Sequence, residues 1–176
     1  MSDSIHFAVQ SHPFAALLVG RDGQGVCAIL LGDSTDELRA DLKKRFPKQH
    51  LLEDGDKQTL DILKKVADFL DRPDHELKLK LHLQGTEFQM KVWDVLQHIP
   101  LGSTLSYSEV AQRIGQPKAV RAVARAGASN PVALAVACHR VIRSDGGISG
   151  YRWGVDRKLK LLEMEKKYTA KGKSDR

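Results

Sequence analysis

A chain of 176 residues with 41% hydrophobic and 28% charged residues can bury a real core, and this composition excludes a disordered or fibrous protein. No apolar run reaches the roughly 18 residues that a membrane-spanning helix needs, and the N-terminal stretch MSDSIHFAVQ lacks the features of a signal peptide. The formal net charge of +6 favours an anionic partner such as nucleic acid. We therefore expect a cytoplasmic protein without membrane contact.

Three strand-like stretches open the chain: IHFAVQS, FAALLVGRD and GVCAILLGD. Turn residues separate them, which predicts a small antiparallel sheet. The stretches STDELRADLKKRF and DKQTLDILKKVADFL carry helix signals and predict two helices. Cys27, in the third strand, is interpreted as a buried apolar residue. Pro73 breaks the pattern, so we expect an α/β structural domain at residues 1–75 and a second domain at residues 76–176.

The second domain begins with LKLKLHLQG, whose period-two alternation predicts a strand, and TEFQMKVWDVLQHIP, a helix with a capping box at Thr86. Two short helices, YSEVAQRIG and AVRAVARAGA, follow and are joined by the tight turn QPK. This pattern indicates a helix-turn-helix, although an ordinary pair of antiparallel helices has the same pattern. The alanines Ala119, Ala122 and Ala126 on the second helix would let it approach a partner surface closely.

The stretch ALAVACHRVIRSDGG places Cys138 at the end of an apolar run that predicts a buried extended segment. Side chains alternate along such a segment, so activation of Cys138 by His139 would need a water or a bend. Cationic groups lower the pKa of a thiol, and His139, Arg140 and Arg143 are candidates for that effect. A core cysteine followed by surface residues has the same pattern, so the pattern alone leaves a reactive and an inert thiol open.

The C-terminal stretch VDRKLKLLEMEKKY predicts a helix with Val155, Leu159 and Leu162 on one face and Leu161 at its margin. Glu165 projects from the same apolar side, next to Leu161 and Leu162. A carboxylate there is costly without a partner, and a histidine ring would provide one. The pattern therefore suggests a Glu–His–water–Cys chain, but it fits equally well with Glu165 turning outward.

The long stretches VACHRVIRSDGGISGYRWGVDRKLKLLEME and SYSEVAQRIGQPKAVRAVARAGASNP closely resemble the O6-alkylguanine-DNA alkyltransferases, especially the C-terminal half of bacterial Ada-type proteins. GVCAILLGD is similar to their N-terminal domain. The resemblance implies a ribonuclease H-like α/β domain followed by a mainly α domain with a winged helix-turn-helix. It also implies a bacterial, monomeric repair protein that moves the alkyl group on O6 of guanine in double-stranded DNA to its own cysteine. Each molecule would react once, without a cofactor or a metal, and activity on O4-methylthymine stays open.

The resemblance assigns a role to each residue of the reaction centre. Cys138 is the acceptor, His139 deprotonates it through a water, and Glu165 polarises His139. Asn130 orders this network. Tyr107 supports departure of the guanine by donating a hydrogen bond.

The resemblance also implies contacts with DNA and with the base. Arg121 would replace the flipped nucleotide, whose unstacking costs a few kcal/mol. The other residues expected at the DNA are Lys118, Ala119, Ala122, Arg125, Arg143, Ser144 and Tyr107. For the basic residues, a solvated surface charge explains the sequence equally well. Ser149, Gly150 and Tyr151 lie in SGYRWG, the stretch expected to wall the base pocket.

The sequence departs from the family at Ala137, where a proline usually precedes the cysteine; we expect activity to survive. The four-cysteine zinc domain of full Ada proteins is not in this sequence, so we expect either a stand-alone transferase or an excised half. Two rival functions remain. A non-catalytic sensor of alkylated DNA would leave Cys138 unmodified. A Cys–His hydrolase would turn over repeatedly, but no glycine-rich oxyanion element lies next to the cysteine.

Overall fold

The computed structural model describes residues 4–148 and 150–174. Two compact units emerge: the chain up to Asp71 with Leu77–Leu83 and Pro131–Ala133 forms the first, and the remainder forms the second. Both later segments of the first unit lie in the range that the sequence assigned to the second domain. A single boundary near residue 75 therefore does not describe this division. Within the described ranges, no helix combines the length and hydropathy needed to cross a bilayer.

A four-stranded mixed sheet forms the centre of the first unit. Its strands are β1 (Ile5–Gln10), β2 (Ala16–Arg21), β3 (Val26–Gly32) and β4 (Leu51–Leu52), in the order β3-β2-β1-β4. The three predicted strands pair antiparallel, and β4 pairs parallel to β1. The sequence did not predict β4, because two residues are too few to show an alternating pattern.

Both predicted helices of the first unit form, as α1 (Thr35–Arg45) and α2 (Lys57–Asp71), and each contacts β1 and β2. The Ser34 side chain caps α1 by accepting a hydrogen bond from the Glu37 backbone. Cys27 is buried in β3, as predicted. Burial, together with the nearby charge of Asp22, raises the pKa of its thiol to about 12, so this cysteine is unreactive near neutral pH.

The predicted strand LKLKLHLQG is wrong except for one isolated bridge, from Leu81 to Val26. Exposure does alternate from Leu77 to Leu81, which explains the pattern. Val26 donates a backbone bond of 2.8 Å to Lys80 and accepts one of 2.8 Å from His82. A strand needs a continuous partner edge as well as alternating burial, and among the described residues this stretch forms a bridge only with Val26, at the start of β3.

Four helices dominate the second unit: α3 (Glu87–Gln97), α4 (Tyr107–Arg113), α5 (Val120–Ala128) and α6 (Val155–Ser174). A short parallel pair, β5 (Leu105–Ser106) with β6 (Val141–Ile142), and a 3₁₀ helix, Cys138–Arg140, complete it. The capping box predicted at Thr86 is present, and a second one at Ser106 begins α4. Local sequence therefore sets where both helices begin.

The two helices predicted from the pattern around QPK are α4 and α5, which pack against each other and against α3. Gly115, at a φ of +76°, follows α4 and allows the tight turn. Ala126 is buried, and its carbonyl oxygen accepts a 2.8 Å hydrogen bond from Trp93 Nε1. The expectation that Ala126 faces a partner is therefore wrong, because this side of α5 packs against α3.

Candidate active site

Cys138 begins a 3₁₀ helix and does not end a strand, so the sequence prediction is wrong at this point. The Cys138 backbone donates to Val136 O at 2.8 Å, and Arg140 donates to Ala137 O at 2.9 Å. An apolar run records burial and cannot distinguish a strand from a buried turn. The alternation argument about Cys138 and His139 therefore does not apply, and the turn supplies the bend that it required.

Asn130 connects this turn to the sulfur. Its side chain is fully buried, and Nδ2 donates to Val136 O at 2.8 Å and to Cys138 Sγ at 3.3 Å. A donor aimed at the sulfur favours the thiolate over the thiol. The predicted neighbours Asn130 and Cys138 are thus in contact.

The resting thiol of Cys138 is protonated at neutral pH. Burial raises its pKa to about 11, although the Asn130 hydrogen bond and the charge of Lys158 act in the opposite direction. The cationic groups that the sequence suggested, His139, Arg140 and Arg143, are not the ones that counteract burial. A base is therefore needed to make this sulfur nucleophilic near pH 7.

His139 and Glu165 form the buried pair that the sequence suggested. His139 Nε2 lies 2.8 Å from Glu165 Oε2, and both side chains are essentially inaccessible to solvent. Burial alone would raise the pKa of Glu165, but His139 and Arg140 outweigh it and hold the pKa at about 2. Glu165 is therefore a carboxylate throughout the physiological range.

Arg140 completes this pair in a role that the sequence did not predict. Its Nε donates to Glu165 Oε1 and its Nη2 to Glu165 Oε2, both at 2.9 Å, and its Nη1 donates to Ile99 O at 2.7 Å. A two-pronged arginine bond fixes the plane of a carboxylate. Arg140 thus holds Glu165 in place for His139.

The ionised carboxylate determines the tautomer of His139. Glu165 can only accept, so we assign the imidazole proton to Nε2 and a lone pair to Nδ1. Nδ1 is buried and has no hydrogen-bond partner among the described residues. Glu165 thus orients the imidazole so that Nδ1 can accept a proton, as in a histidine base that is held by a carboxylate.

Lys158 on α6 is a second residue that sequence analysis missed. It is fully buried, and its Nζ lies 5.7 Å from the centre of the Tyr107 ring and 3.5 Å from Gly150 O. A lysine in an amphipathic pattern is normally assigned to the solvent side. Its position seven residues before Glu165, two helical turns away on one face, was the available signal.

The buried face of α6 consequently differs from the prediction. Lys158, Leu161 and Glu165 are buried, whereas Val155 and Leu159 are each 41% exposed. Of the two orientations that the sequence left open for Glu165, inward and outward, the structure has the inward one. The face was misplaced because Lys158 interacts with an aromatic ring and a carbonyl oxygen inside the unit.

A cavity of about 490 Å³ opens beside Cys138. Its apolar walls come from three elements, α3, α5 and β6: Val92, Leu96, Val123, Ala124 and Val141. Tyr107, Gly150 and Tyr151, three residues predicted for the reaction or the base pocket, line the same cavity. The volume lies in the range typical of small-molecule sites.

The two tyrosines occupy different surroundings. Tyr107 is half-buried at the first position of α4. The Tyr151 ring lies 6.5 Å from the His139 ring and 5.5 Å from that of Trp153. Burial raises the pKa of Tyr151 well above its usual value, and its buried hydroxyl has no hydrogen-bond partner within the described ranges. Tyr151 thus remains a neutral wall residue.

Arg152, which the sequence analysis did not single out, also lines the cavity. Its Nη1 donates to Asn130 O at 3.1 Å, and its guanidinium carbon lies 5.2 Å from the centre of the Trp153 ring. It follows Tyr151 directly in the chain, but nothing in the pattern distinguishes it from a surface arginine.

Apart from Tyr107, the residues predicted to contact DNA do not line this cavity. Lys118, Arg121 and Arg125 are exposed on or just before α5, and Ala119 and Ala122 are half-buried there. Beyond β6, Arg143 is exposed and pairs with Asp145 at 2.9 Å, and Ser144 Oγ lies 3.0 Å from Ser108 Oγ. Ser149 lies outside the described residues.

The structure offers no set of three or more histidine, cysteine, aspartate or glutamate side chains placed to hold a metal ion within residues 4–148 and 150–174. The polar groups at the cavity are instead a thiol, two phenols and one guanidinium. A thiol, an imidazole and an ionised carboxylate thus occur together here, and such an arrangement can accept an electrophilic carbon on sulfur.

Comparison with known proteins identifies relatives over nearly the whole chain. A family model described as the DNA-binding domain of 6-O-methylguanine DNA methyltransferase matches residues 87–167. The bifunctional transcriptional activator/DNA repair enzyme Ada of Escherichia coli is 42% identical over 167 residues, which cover 92% of this chain and 46% of that protein. The inducible methylated-DNA–protein-cysteine methyltransferase of Bacillus subtilis is 41% identical over 132 residues, which cover 75% and 73%.

Solved structures show the same similarity. The crystal structure of Mycobacterium tuberculosis OGT in complex with DNA has 32% sequence identity and a TM-score of 0.77, covering 93% of this chain and 94% of that one. The mixed sheet and helices found here therefore form an α/β fold shared with that protein. By contrast, the chain spans about half the length of the curated Ada relatives that it matches.

Proposed function

This chain belongs to the methylated-DNA–protein-cysteine methyltransferase family, and we propose that it repairs O6-alkylguanine in double-stranded DNA by moving the alkyl group irreversibly to Cys138. The observation that carries this proposal is the position of Cys138. Its sulfur is held by Asn130 at 3.3 Å and lines a cavity, while the next residue, His139, is bound to an ionised Glu165. The proposed nucleophile Cys138 and the proposed base His139 are thus neighbours in one 3₁₀ turn. Asn130 orients the sulfur, and Glu165 orients the imidazole.

In the proposed reaction, Cys138 Sγ attacks the alkyl carbon on O6 of the guanine. The S–C bond forms as the C–O6 bond breaks, and the electron pair of that bond stays on the guanine. The thiol proton passes to His139 Nδ1, and Tyr107 donates a hydrogen bond to the guanine as negative charge builds. A thiol with a pKa of about 11 is scarcely ionised near pH 7, so this reaction depends on the base.

We propose that one water joins Cys138 Sγ to His139 Nδ1. Buried polar atoms nearly always have a hydrogen-bond partner, and Nδ1 has none among the residues described. A water that bridges two polar groups is ordered at little cost in free energy, and it provides a path for the proton between them. Glu165 stabilises the imidazolium that forms, because its carboxylate already accepts from Nε2.

The target atom lies inside a base-paired duplex, so the nucleotide must rotate out of the stack before it can reach a buried sulfur. The support for this step is the cavity of about 490 Å³ that includes Cys138, Tyr107 and Tyr151. Arg121 is exposed on α5, where it can replace the extruded base. Gly150 belongs to the same proposed pocket wall.

For binding of DNA, we propose the exposed side of α5 together with the loop after β6. Lys118, Arg125 and Arg143 supply phosphate contacts, which are independent of sequence and sensitive to salt. The half-buried Ala119 and Ala122 let α5 approach the groove, and Ser144 adds a neutral contact. The Mycobacterium tuberculosis relative, which was solved with DNA, supports this choice of partner.

The finer description of the fold is also part of the proposal. The antiparallel meander of β1, β2 and β3 is extended by the parallel strand β4, and two helices pack against this sheet. This arrangement fits a ribonuclease H-like first unit. The tight α4–α5 pair, followed by β6 and its closed loop, fits a winged helix-turn-helix in the second. In this arrangement the first unit is structural and the second carries the chemistry.

Mass spectrometry tests the function directly. The protein is mixed with an excess of duplex DNA that contains one O6-methylguanine. We expect one methyl group per molecule, located on the Cys138 peptide, with saturation at one equivalent. Cys138→Ser should gain none, and the matched control Cys27→Ser should gain one. Tight binding without any mass change would replace the transferase by a damage sensor, and repeated release of product would replace it by a hydrolase.

A further inference from the structure

We propose that Arg152 recognises the alkylated guanine through its N7 and O6 edge and so determines which damaged base this protein repairs. The inference rests on the proposed function, and it deepens that function by naming the recognised edge of the substrate. Among the described residues that line the cavity beside Cys138, Arg152 carries the only charge. Apart from Cys138 and two tyrosines, the rest of that lining is apolar or glycine.

Contacts with a carbonyl oxygen and with an aromatic ring help to position the guanidinium. Nη1 donates to Asn130 O at 3.1 Å, and the guanidinium carbon lies 5.2 Å from the Trp153 ring centre. Asn130 is the residue whose Nδ2 holds Cys138 Sγ at 3.3 Å. One residue thus connects the cation to the nucleophile, and both line the same cavity, so a base that enters it can meet both.

The chemistry of this cation fits one edge of guanine. O6 and N7 are adjacent acceptors, and arginine is the side chain that most often reads them. An alkyl group on O6 leaves N7 unchanged, so the edge remains recognisable in the damaged base. A 4-alkylated thymine offers O4 beside a methyl group and has no counterpart of N7.

The same contact favours the transfer itself. As the C–O6 bond breaks, its electron pair remains on the guanine, and a fixed cation in an apolar cavity stabilises that developing charge. The methyl carbon passes to Cys138 Sγ and the thiol proton to His139, so the step needs no further reactant. Arg152 thereby favours guanine both in binding and in departure.

The test replaces a single atom of the DNA. Single-turnover methyl transfer is measured with wild-type protein and two duplexes, one with O6-methylguanine and one with 7-deaza-O6-methylguanine, in which a C–H group replaces N7. We expect the deaza duplex to react about tenfold more slowly, which corresponds to about 1.4 kcal/mol, because it lacks the N7 acceptor of the arginine–guanine contact. Wild-type rates within about twofold of each other would overturn the proposal without any variant.

Variants then assign the effect to Arg152. Arg152→Met should be slower on O6-methylguanine and should react with both duplexes at nearly equal rates. Arg152→Lys, which keeps a cationic donor, should recover part of the difference between the duplexes. Lys160→Met, which removes an exposed charge from α6, is the matched control and should keep the wild-type ratio.

A purely structural role of Arg152 would lower both rates and leave their ratio unchanged, and this outcome would refute the assignment. The preference for O6-methylguanine over O4-methylthymine gives a second readout and should decrease in Arg152→Met. Failure of the proposed function is distinguishable, because the wild-type protein would then take no methyl group from the O6-methylguanine duplex at all.

Discussion

Glu165 Oε2 lies 2.8 Å from His139 Nε2, and both oxygens of the same carboxylate accept hydrogen bonds from Arg140. Twenty-six residues separate Glu165 from His139 in the chain. The pair is fully buried, so its ionisation affects the stability of the second unit as well as the tautomer of the base. The stability of the fold and the orientation of the His139 ring therefore depend on the same carboxylate.

The first prediction concerns acid stability. The pKa of Glu165 falls from 4.5 to about 2 in the folded protein, so this carboxylate contributes stability above pH 4.5 that is lost as pH falls towards 2. The shift corresponds to about 3 kcal/mol. We expect Glu165→Gln to unfold at lower urea concentration than wild type at pH 7, with the difference shrinking below pH 4.5. The exposed Glu163→Gln is the control. A difference that is independent of pH would show that folding does not lower the pKa of Glu165.

The second prediction concerns the thiol. Because burial raises the pKa of Cys138 to about 11, its reaction with iodoacetamide should accelerate about tenfold per pH unit between about pH 7 and 10. Peptide mass spectrometry separates Cys138 from Cys27, whose pKa of about 12 and burial within β3 should make it slower at every pH. A plateau near pH 7 would mean that Cys138 rests as a thiolate and needs no base.

Lys158 provides the third prediction. Its buried charge acts against the burial effect on Cys138, so Lys158→Met should raise the pKa of that thiol further and slow its alkylation several-fold at pH 9. Methyl transfer should slow as well. Stability should not fall, because methionine has a similar length and carries no buried charge. Lys160→Met, exposed on the same helix, should resemble wild type. An unchanged thiol pH profile in Lys158→Met would contradict the assigned effect.

The fourth prediction concerns Ala137, where the family usually has proline. Its φ of −81° is close to the value of about −65° that a proline ring imposes. Ala137→Pro should therefore increase the free energy of unfolding by about 0.4–1 kcal/mol, by restricting the unfolded chain. Urea denaturation measures this directly, and methyl transfer should persist. A loss of stability would show that the turn before Cys138 needs the Ala137 N–H or a backbone that proline excludes.

Local signals in the sequence were sufficient for several elements. The helix that begins at Thr86 was predicted because its capping box involves residues three apart, and the tight α4–α5 turn carries Gly115 just after the first helix. The antiparallel strands β1, β2 and β3 follow one another with short turns, so their pairing was also a local problem. Each of these elements depends on neighbours in the chain.

Elements that depend on distant partners were missed or misplaced. The two residues of β4 become a strand only because β1 offers an edge, and LKLKLHLQG forms one bridge because only Val26 faces it. The face of α6 was misplaced because Lys158 finds an aromatic ring and a carbonyl oxygen inside the unit. A pattern of polar and apolar letters does not contain such partners.

By itself, the sequence determined the family resemblance, and with it the candidate acceptor Cys138 and its candidate partners His139 and Glu165, because these residues lie in long contiguous stretches that carry the resemblance. Only the tertiary structure decided that Cys138 lies in a 3₁₀ turn and that Arg140 fixes Glu165. It also decided that the charge of Lys158 acts on the Cys138 thiol and that Arg152 lines the cavity. The reason is physical. The pKa of a buried group and the orientation of its partners are set by atoms that folding brings within a few ångströms, whatever their separation along the chain.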